Sequence, residues 1–458
     1  MPPRESTFPQ PGHPEYRRAA FRMKPARYVP ILLAVLAVAL GIALRLTWVT
    51  DMEYKGDERF MFDRSQHVGR EEAWPELGME SGVGTRNPGM SIWFFAVLAR
   101  VFGATTPLSL DRAVILLNCG ALVVLAFFAL RSVPEEEREP WLWATALAAV
   151  NPIAIYLQRK IWAQSVLPLF CVLFLIGFRR RDRYWGAFLW GLIGAALGQV
   201  HMSGFFFAAG FFLWDAVLGR GTKEAPRPRA KWIAWVVGSS IASIPLIPWI
   251  KYVLGPHEKG PPYSWNEVLS FRFYRLWFSD TLGLGLDSSL GAQFMDFMRH
   301  PIFVKDPDLT PVLYLHGVAF SAGLVIAAAG LVSVWQRRHA WFSGVRTPLA
   351  FVRTLRTVDE TTFAISAALL GYGLLLTFAS VHVWRHYLIV TFPLEWVACA
   401  ALAKRALAPA RARVVLAALF VATLGISVAF LDFIHVNHGA IRGDYGPSYS
   451  IQYPRSVR

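Results

Sequence analysis

Residues 28–49 read YVPILLAVLAVALGIALRLTWV, with Arg45 as the only charge. As a helix this run is long enough to cross the roughly 30 Å of hydrocarbon in a bilayer. In lipid every backbone polar group must be bonded internally, so the run has to be helical. Comparable runs recur through the chain. Of its 458 residues 55% are hydrophobic and only 17% charged, against about a quarter charged in soluble domains. The composition therefore predicts an all-α fold, a polytopic membrane helix bundle. The net charge of +15 does not point to nucleic acid, because the Lys and Arg residues cluster in short breaks between apolar runs, as they do in membrane proteins. Cys119, Cys171 and Cys399 lie singly in apolar segments, which suits small core residues and offers neither a disulfide framework nor a metal site.

Working outward from the first run, residues 1–27 are rich in Pro and Arg and predict a disordered cytoplasmic tail. The run itself is too long for a signal-peptide core and reads as an uncleaved first helix. Arg17, Arg18, Arg22, Lys24 and Arg27 precede it, which keeps the N-terminus inside. The helices then predicted are roughly 28–49, 108–131, 141–158, 164–178, 184–200, 204–219, 232–254, 312–335, 361–380, 387–403 and 413–431. The apolar stretch 90–102 is short and is read as juxtamembrane or re-entrant. If it spanned, Arg179-Arg180-Arg181-Asp182-Arg183 and the basic breaks at 220–231, 337–356 and 404–413 would all face outside, against the positive-inside rule. Eleven helices result, in a transmembrane domain over 28–431, with outer loops at 50–107 and 255–311 and an outer tail at 432–458. Loops of this length are uncommon without a function.

Three constellations could carry chemistry. The first outer loop opens Asp51-Met52-Glu53-Tyr54-Lys55-Gly56-Asp57-Glu58-Arg59. Either Asp57 merely caps the short helix that follows, or one carboxylate takes a proton from a substrate hydroxyl. Adjacent helical residues point about 100° apart, so Asp57 and Glu58 should hold different roles. Gln158-Arg159-Lys160 and Arg385-His386-Tyr387 bring cations to the same face; such residues snorkel or bind lipid phosphate, and Arg can grip phosphate bidentately. His201 and Glu395 fall at membrane depth, where an ionisable group is functional or paired with a neighbour. His201, with Tyr387, is a candidate to line a substrate groove, and Glu395 is read as a structural pair. Aromatic residues of the second loop, Tyr263-Ser264-Trp265 and Phe273-Tyr274-Arg275-Leu276-Trp277, are candidates for sugar or lipid contact.

The order of these features resembles a known group. A first helix with Arg45 near its far end precedes Gly56-Asp57-Glu58, Asn87-Pro88-Gly89, Phe102-Gly103, Asp111-Arg112, Asn151-Pro152, Arg385-His386-Tyr387 with Pro393, and Gly443-Asp444-Tyr445-Gly446. This is similar to the GT-C glycosyltransferases, in the family 39/83-like branch of protein O-mannosyltransferases and aminoarabinose transferases. The resemblance implies GT-C-like outer loops with juxtamembrane helices, and a polyprenyl-phosphate-linked sugar as donor in the cell membrane. It implies Asp57 as catalytic base with Glu58 beside it, and Arg159, Lys160 and Arg385 as ligands of the donor phosphate. Many relatives carry a further acid soon after the third helix, whereas Ile161-Trp162-Ala163-Gln164-Ser165 has none. No metal-ligand spacing is present, and a divalent metal stays open as a cofactor. The acceptor is a glycan, lipid or protein. The alternative from another class is a membrane transporter or lipid flippase, built on intramembrane charges such as Glu395 and discontinuous helices.

Overall fold

A computed structural model describes residues 29–82, 84–221, 227–256, 262–302, 310–344 and 356–454. The expected tail at 1–27 lies outside the described residues, as do residues 345–355 of the basic break at 337–356. The fold is mostly helical, 74% helix and 4% strand. The helices are α1 (Val29–Leu46), α2 (Gly56–His67), α3 (Met90–Val101), α4 (Pro107–Arg131), α5 (Glu135–Val150), α6 (Pro152–Leu157), α7 (Leu167–Arg179), α8 (Tyr184–Val200) and α9 (Ser203–Leu218). They continue with α10 (Trp232–Ser243), α11 (Ile247–Leu254), four short helices α12 (Trp265–Leu269), α13 (Arg272–Thr281), α14 (Asp287–Leu290) and α15 (Phe294–Met298), then α16 (Pro311–Gly344), α17 (Glu360–Ser366), α18 (Gly373–Phe378), α19 (Leu394–Ala406), α20 (Pro409–Val436) and α21 (Tyr449–Gln452). Strands β1 (Leu77–Glu80) and β2 (Arg86–Pro88) form an antiparallel hairpin between α2 and α3.

Among the described residues five helical stretches are long and apolar enough to cross a membrane: Pro107–Arg131, Trp232–Leu254, Pro311–Gln336, Glu360–Phe378 and Pro409–Val436. The pair Arg385–Thr391 and Leu394–Ala406, bent by 71°, makes a sixth when the two are taken as one span. The other expected crossings are helical but shorter or broken. The 141–158 run is divided at Asn151-Pro152, since Pro has no N–H and pushes its predecessor out of the α region. Asn151 is accordingly extended, and its Oδ1 caps the next helix by accepting from Ile153 and Ala154 at 3.0 and 3.1 Å. Its Nδ2 donates to the Asp280 carbonyl at 2.8 Å, tying the break to α13.

The carbonyls left over at the end of α5 find an unusual partner. Arg45, fully buried on α1, donates to Ala149 O at 2.7 Å, Ala148 O at 3.4 Å and Gly41 O at 2.9 Å, and to the Gln158 side chain at 2.8 Å. Orphan C-terminal carbonyls of one helix are thus capped by a side chain from another. The close approach is made by Gly41, where a Cβ would stand 2.6 Å from Ala149 O.

The opposite end of the bundle is closed by ion pairs. Arg181, fully buried, donates through Nε to Asp215 at 2.7 Å, pairs with Glu360, and lies over the Phe178 ring at 4.2 Å. Arg179 pairs with Glu137, Arg405 with Asp359 and Arg413 with Glu139. These join the breaks after α4, α7, α9, α16 and α19. Helix α8, with 17 residues and therefore about 25 Å long, runs from this cluster to His201.

Candidate functional site

The site is built at the other end of α8. Helix α2 begins at Gly56, so Asp57 and Glu58 occupy its first turn and Asp57 is not its cap. Their side chains diverge, as a 100° step requires. Glu58 turns inward: it is 1% exposed, accepts from the Lys55 backbone N–H at 3.1 Å, and stands 3.5 Å from Lys160 Nζ. Burial pushes its carboxyl pKa up, with Lys160 opposing. Asp57 stays partly exposed and accepts from the Trp162 indole, Nε1 to Oδ2, at 3.1 Å.

Lys160 is the centre of the buried charge. Its Nζ lies 2.8 Å from Glu53 Oε2, and Tyr156 OH donates to the same oxygen at 2.9 Å. Burial alone would lower the ammonium pKa, but Glu53, with Tyr156 and Glu58, holds it well above the usual value. The segment after α20 straps this loop down. Ser448 bridges Glu53, Tyr449 N donates to Met52 O at 3.0 Å, Gln452 Nε2 donates to Tyr54 O at 3.0 Å, and Lys55 pairs with Asp444 at 2.9 Å. Asp51, buried, takes His435 Nδ1 at 2.6 Å and Ser450 Oγ at 3.1 Å.

Asp57, His201 and Tyr387 line one cavity of about 370 Å³, which is within the range of small-molecule sites. Trp162, Trp384 and His386 supply further rings to its wall; Asn87, Gln164 and Glu80 supply polar groups. The rings form a chain: Trp162 to His386 at 4.6 Å, His386 to His201 at 5.6 Å, and His201 to Tyr387 at 5.2 Å. His201 Nδ1 is held by Ser203 Oγ at 2.7 Å. Glu80 comes from β1, whose hairpin is anchored from α11 by Trp249 Nε1 donating to Arg86 O at 2.7 Å. A second cavity, of about 300 Å³ between α7, α8, α9 and α10, is lined mainly by apolar groups such as Phe174, Trp190 and Phe212.

The three expected phosphate ligands lie outside the wall of the Asp57 cavity. Arg159, 7% exposed, donates to Thr47 O at 2.6 Å and Trp48 O at 2.9 Å. With Lys160 it borders a pocket of about 10 Å³, room for about one water. Arg385 pairs with Asp280, stands 3.5 Å from Asp287, and borders a narrow cavity of about 40 Å³ with Gln158 and Glu395. Glu395 accepts from Thr391 Oγ1 at 3.1 Å, a local hydroxyl partner. Near Arg385 in sequence, Trp384 carries Arg272 over its ring at 5.6 Å.

Sequence reasoning passed over Glu53, Glu80, Trp162, His386 and Arg272. His386 sits inside a motif already singled out, and Trp162 inside the stretch noted for lacking an acid. Glu80 gave no signal, since its place depends on the hairpin fold. Among the described residues no group of three or more His, Cys, Asp or Glu side chains is placed to hold a metal ion. Comparison with models of protein families, with curated proteins and with solved structures finds no match for this chain.

Proposed function

We propose that the protein is a membrane glycosyltransferase that moves a sugar from a polyprenyl-phosphate donor to an acceptor hydroxyl on the extracytoplasmic face, inverting the anomeric centre. The observation that carries this reading is a partly exposed carboxylate, Asp57, in the wall of a sugar-sized cavity rich in aromatic faces and amides. Rings offer stacking surface, and amides and carboxylates offer the directed hydrogen bonds that hydroxyl groups need. Asp57 takes the acceptor proton while the acceptor oxygen bonds to the anomeric carbon. The bond from that carbon to the phosphate oxygen breaks, and the phosphate leaves with the electron pair. Phosphate departs readily once its charge is met, so the chemistry asks for one base and nearby cations.

Of the cations, Arg385 is the one assigned to the donor, because it lies between Trp384 and His386 of the cavity wall in sequence and its carboxylate partner is one that an anion can replace, with Arg272 beside Trp384 as an addition. The phosphate would displace Asp280 from Arg385, exchanging one anion for another. Arg385→Ala is expected to weaken donor binding about 10–100-fold, the worth of a charged hydrogen bond. Arg385→Lys should restore only part, because a point charge replaces a planar fork. Donor titration of purified protein in nanodiscs measures this, and unchanged affinity in the Ala variant removes Arg385 from the phosphate site.

On this reading the chain crosses the membrane eleven times, with its N-terminus in the cytoplasm, the Arg181 end inside, and the Asp57 end and the C-terminus outside. Single cysteines at the exposed positions Arg183 and Ser288 test the orientation, with Cys119, Cys171 and Cys399 changed to Ala. In intact cells an impermeant thiol reagent is expected to label position 288 and spare 183. The reverse pattern overturns the orientation and the enzyme reading with it.

A transporter or lipid flippase is the second reading, favoured by the 71° break beside the buried Glu395; broken helices and intramembrane acids mark such proteins. Against it stands the Arg181–Asp215–Glu360 cluster, which bolts one end of the bundle shut. Alternating access would have to break those buried pairs in every cycle, at several kcal/mol.

A further inference from the structure

We propose that Trp162 positions Asp57 for proton abstraction and presents the ring face on which the transferred sugar stacks; this rests on the glycosyltransferase reading above. Four observations converge on the residue. Its indole N–H donates to Asp57 Oδ2 at 3.1 Å. Its ring lines the 370 Å³ cavity. The Lys160 ammonium stands 4.3 Å from the ring centroid, and His386 meets it edge-on at 4.6 Å. The backbone on either side is locked, with Ile161 and Val166 fully buried and Ser165 N donating to Trp162 O at 2.9 Å.

Each contact has a consequence. A single N–H bond to one carboxylate oxygen fixes the Asp57 rotamer and leaves Oδ1 to face an incoming hydroxyl. A base must lie within hydrogen-bond reach of the proton that it takes, and errors of about 1 Å in placement cost about 100-fold in rate. Lys160 cannot drift, because Glu53 and Glu58 hold it; its cation–π contact in turn holds the indole plane. The indole therefore links the buried charge cluster to the cavity. Lys160 stands over the ring, and the part of Trp162 that lines the cavity beside the base is where the C–H face of a pyranose would pack. One residue then sets the angle between the base and the sugar.

The two duties separate by mutation. Trp162→Phe keeps an aromatic face and deletes the N–H; Trp162→Leu deletes both. Transfer of a labelled sugar from polyprenyl phosphate is measured with purified protein in nanodiscs, with thermal unfolding followed alongside. For Trp162→Phe the expected result is a kcat lower by about 10-fold or more, with the donor KM within about twofold of wild type. Trp162→Leu should show the same fall in kcat and a donor KM raised about 3–10-fold by loss of the stacking surface. If the Leu variant fails to fold, the kcat-against-KM split of the Phe variant decides the positioning role and Trp162→Met replaces Leu as the test of stacking; a donor KM unchanged in a folded Leu or Met variant overturns the stacking role. A Trp162→Phe protein with wild-type kcat overturns the positioning role while the glycosyltransferase reading stands. Parallel loss of kcat, donor affinity and thermal stability in the Phe variant reduces Trp162 to a packing residue. Absence of any sugar transfer by the wild-type protein overturns both proposals together.

Discussion

An Asp57→Asn protein is expected to fold and bind donor as the wild type does, and to transfer sugar about 10²–10⁴-fold more slowly, the usual contribution of a general base. The substitution keeps the size of the side chain and one carbonyl oxygen for the Trp162 N–H, so the contact seen at 3.1 Å survives. What it removes is the capacity to hold a proton. Because Asp57 is partly exposed on the first turn of α2 and bears no buried ion pair, the change should leave stability near wild type, within about 0.5 kcal/mol as for ordinary surface positions. Glu58→Gln provides the contrast. Glu58 does not line the cavity, so its loss should act on the loop it caps and much less on the chemical step. Labelled-sugar transfer with donor binding assayed in parallel measures both. Wild-type turnover in Asp57→Asn would remove Asp57 as the base and reduce the resemblance to GT-C enzymes to one of architecture.

Lys160→Met is expected to be the most destabilising single change in the site, at about 3–5 kcal/mol. The ammonium is almost completely buried, and two buried carboxylates depend on it: Glu53 at 2.8 Å and Glu58 at 3.5 Å. Met fills much of the same volume, so packing loss is small and the electrostatic term stands out. Glu53 keeps the Tyr156 hydroxyl and Lys55 at 2.8 Å, which softens but does not cancel the cost. Adding Glu53→Gln to Lys160→Met should recover part of the loss, because removing both members of a buried pair costs less than removing one. Thermal unfolding in detergent compares the single and double variants. A Lys160→Met protein as stable as wild type would mean that the ammonium is not what balances Glu53 and Glu58, and would return it to the role of a phosphate ligand.

Much of this was legible in the sequence, and the limits have physical causes. Apolar runs and basic breaks located the helical segments, because membrane helices are written in composition. Asp57, His201 and Tyr387 were named from motif and position, and the fold brings them to one cavity. The helical step sets Asp57 and Glu58 about 100° apart, but which of the two turns inward, to Lys160, depends on a partner distant in sequence. Arg159 and Lys160 read as free cations at a helix end. The break at Asn151-Pro152 instead carries them inward, to backbone carbonyls at Thr47 and Trp48 and to Glu53. Pair partners this distant in sequence leave no local trace. Glu53 stands in an acidic loop whose sequence carries no sign that this side chain is 1% exposed.

The strap of residues 444–452 over the loop at 51–59 joins positions 389 to 399 apart in sequence. Closing so long a loop costs entropy that a few hydrogen bonds and one surface ion pair would not offset alone. It becomes favourable once α1 and α20 are both packed against α5 and the two segments are already neighbours. The loop that bears Asp57 is therefore held in shape by the assembled bundle as a whole, and it registers disorder introduced anywhere between these two helices. A detergent or lipid that loosens the bundle without melting its helices would leave a protein of normal helix content whose cavity had come apart. For this molecule helix content is a poor gauge of integrity, and the geometry of one nine-residue loop is a sensitive one.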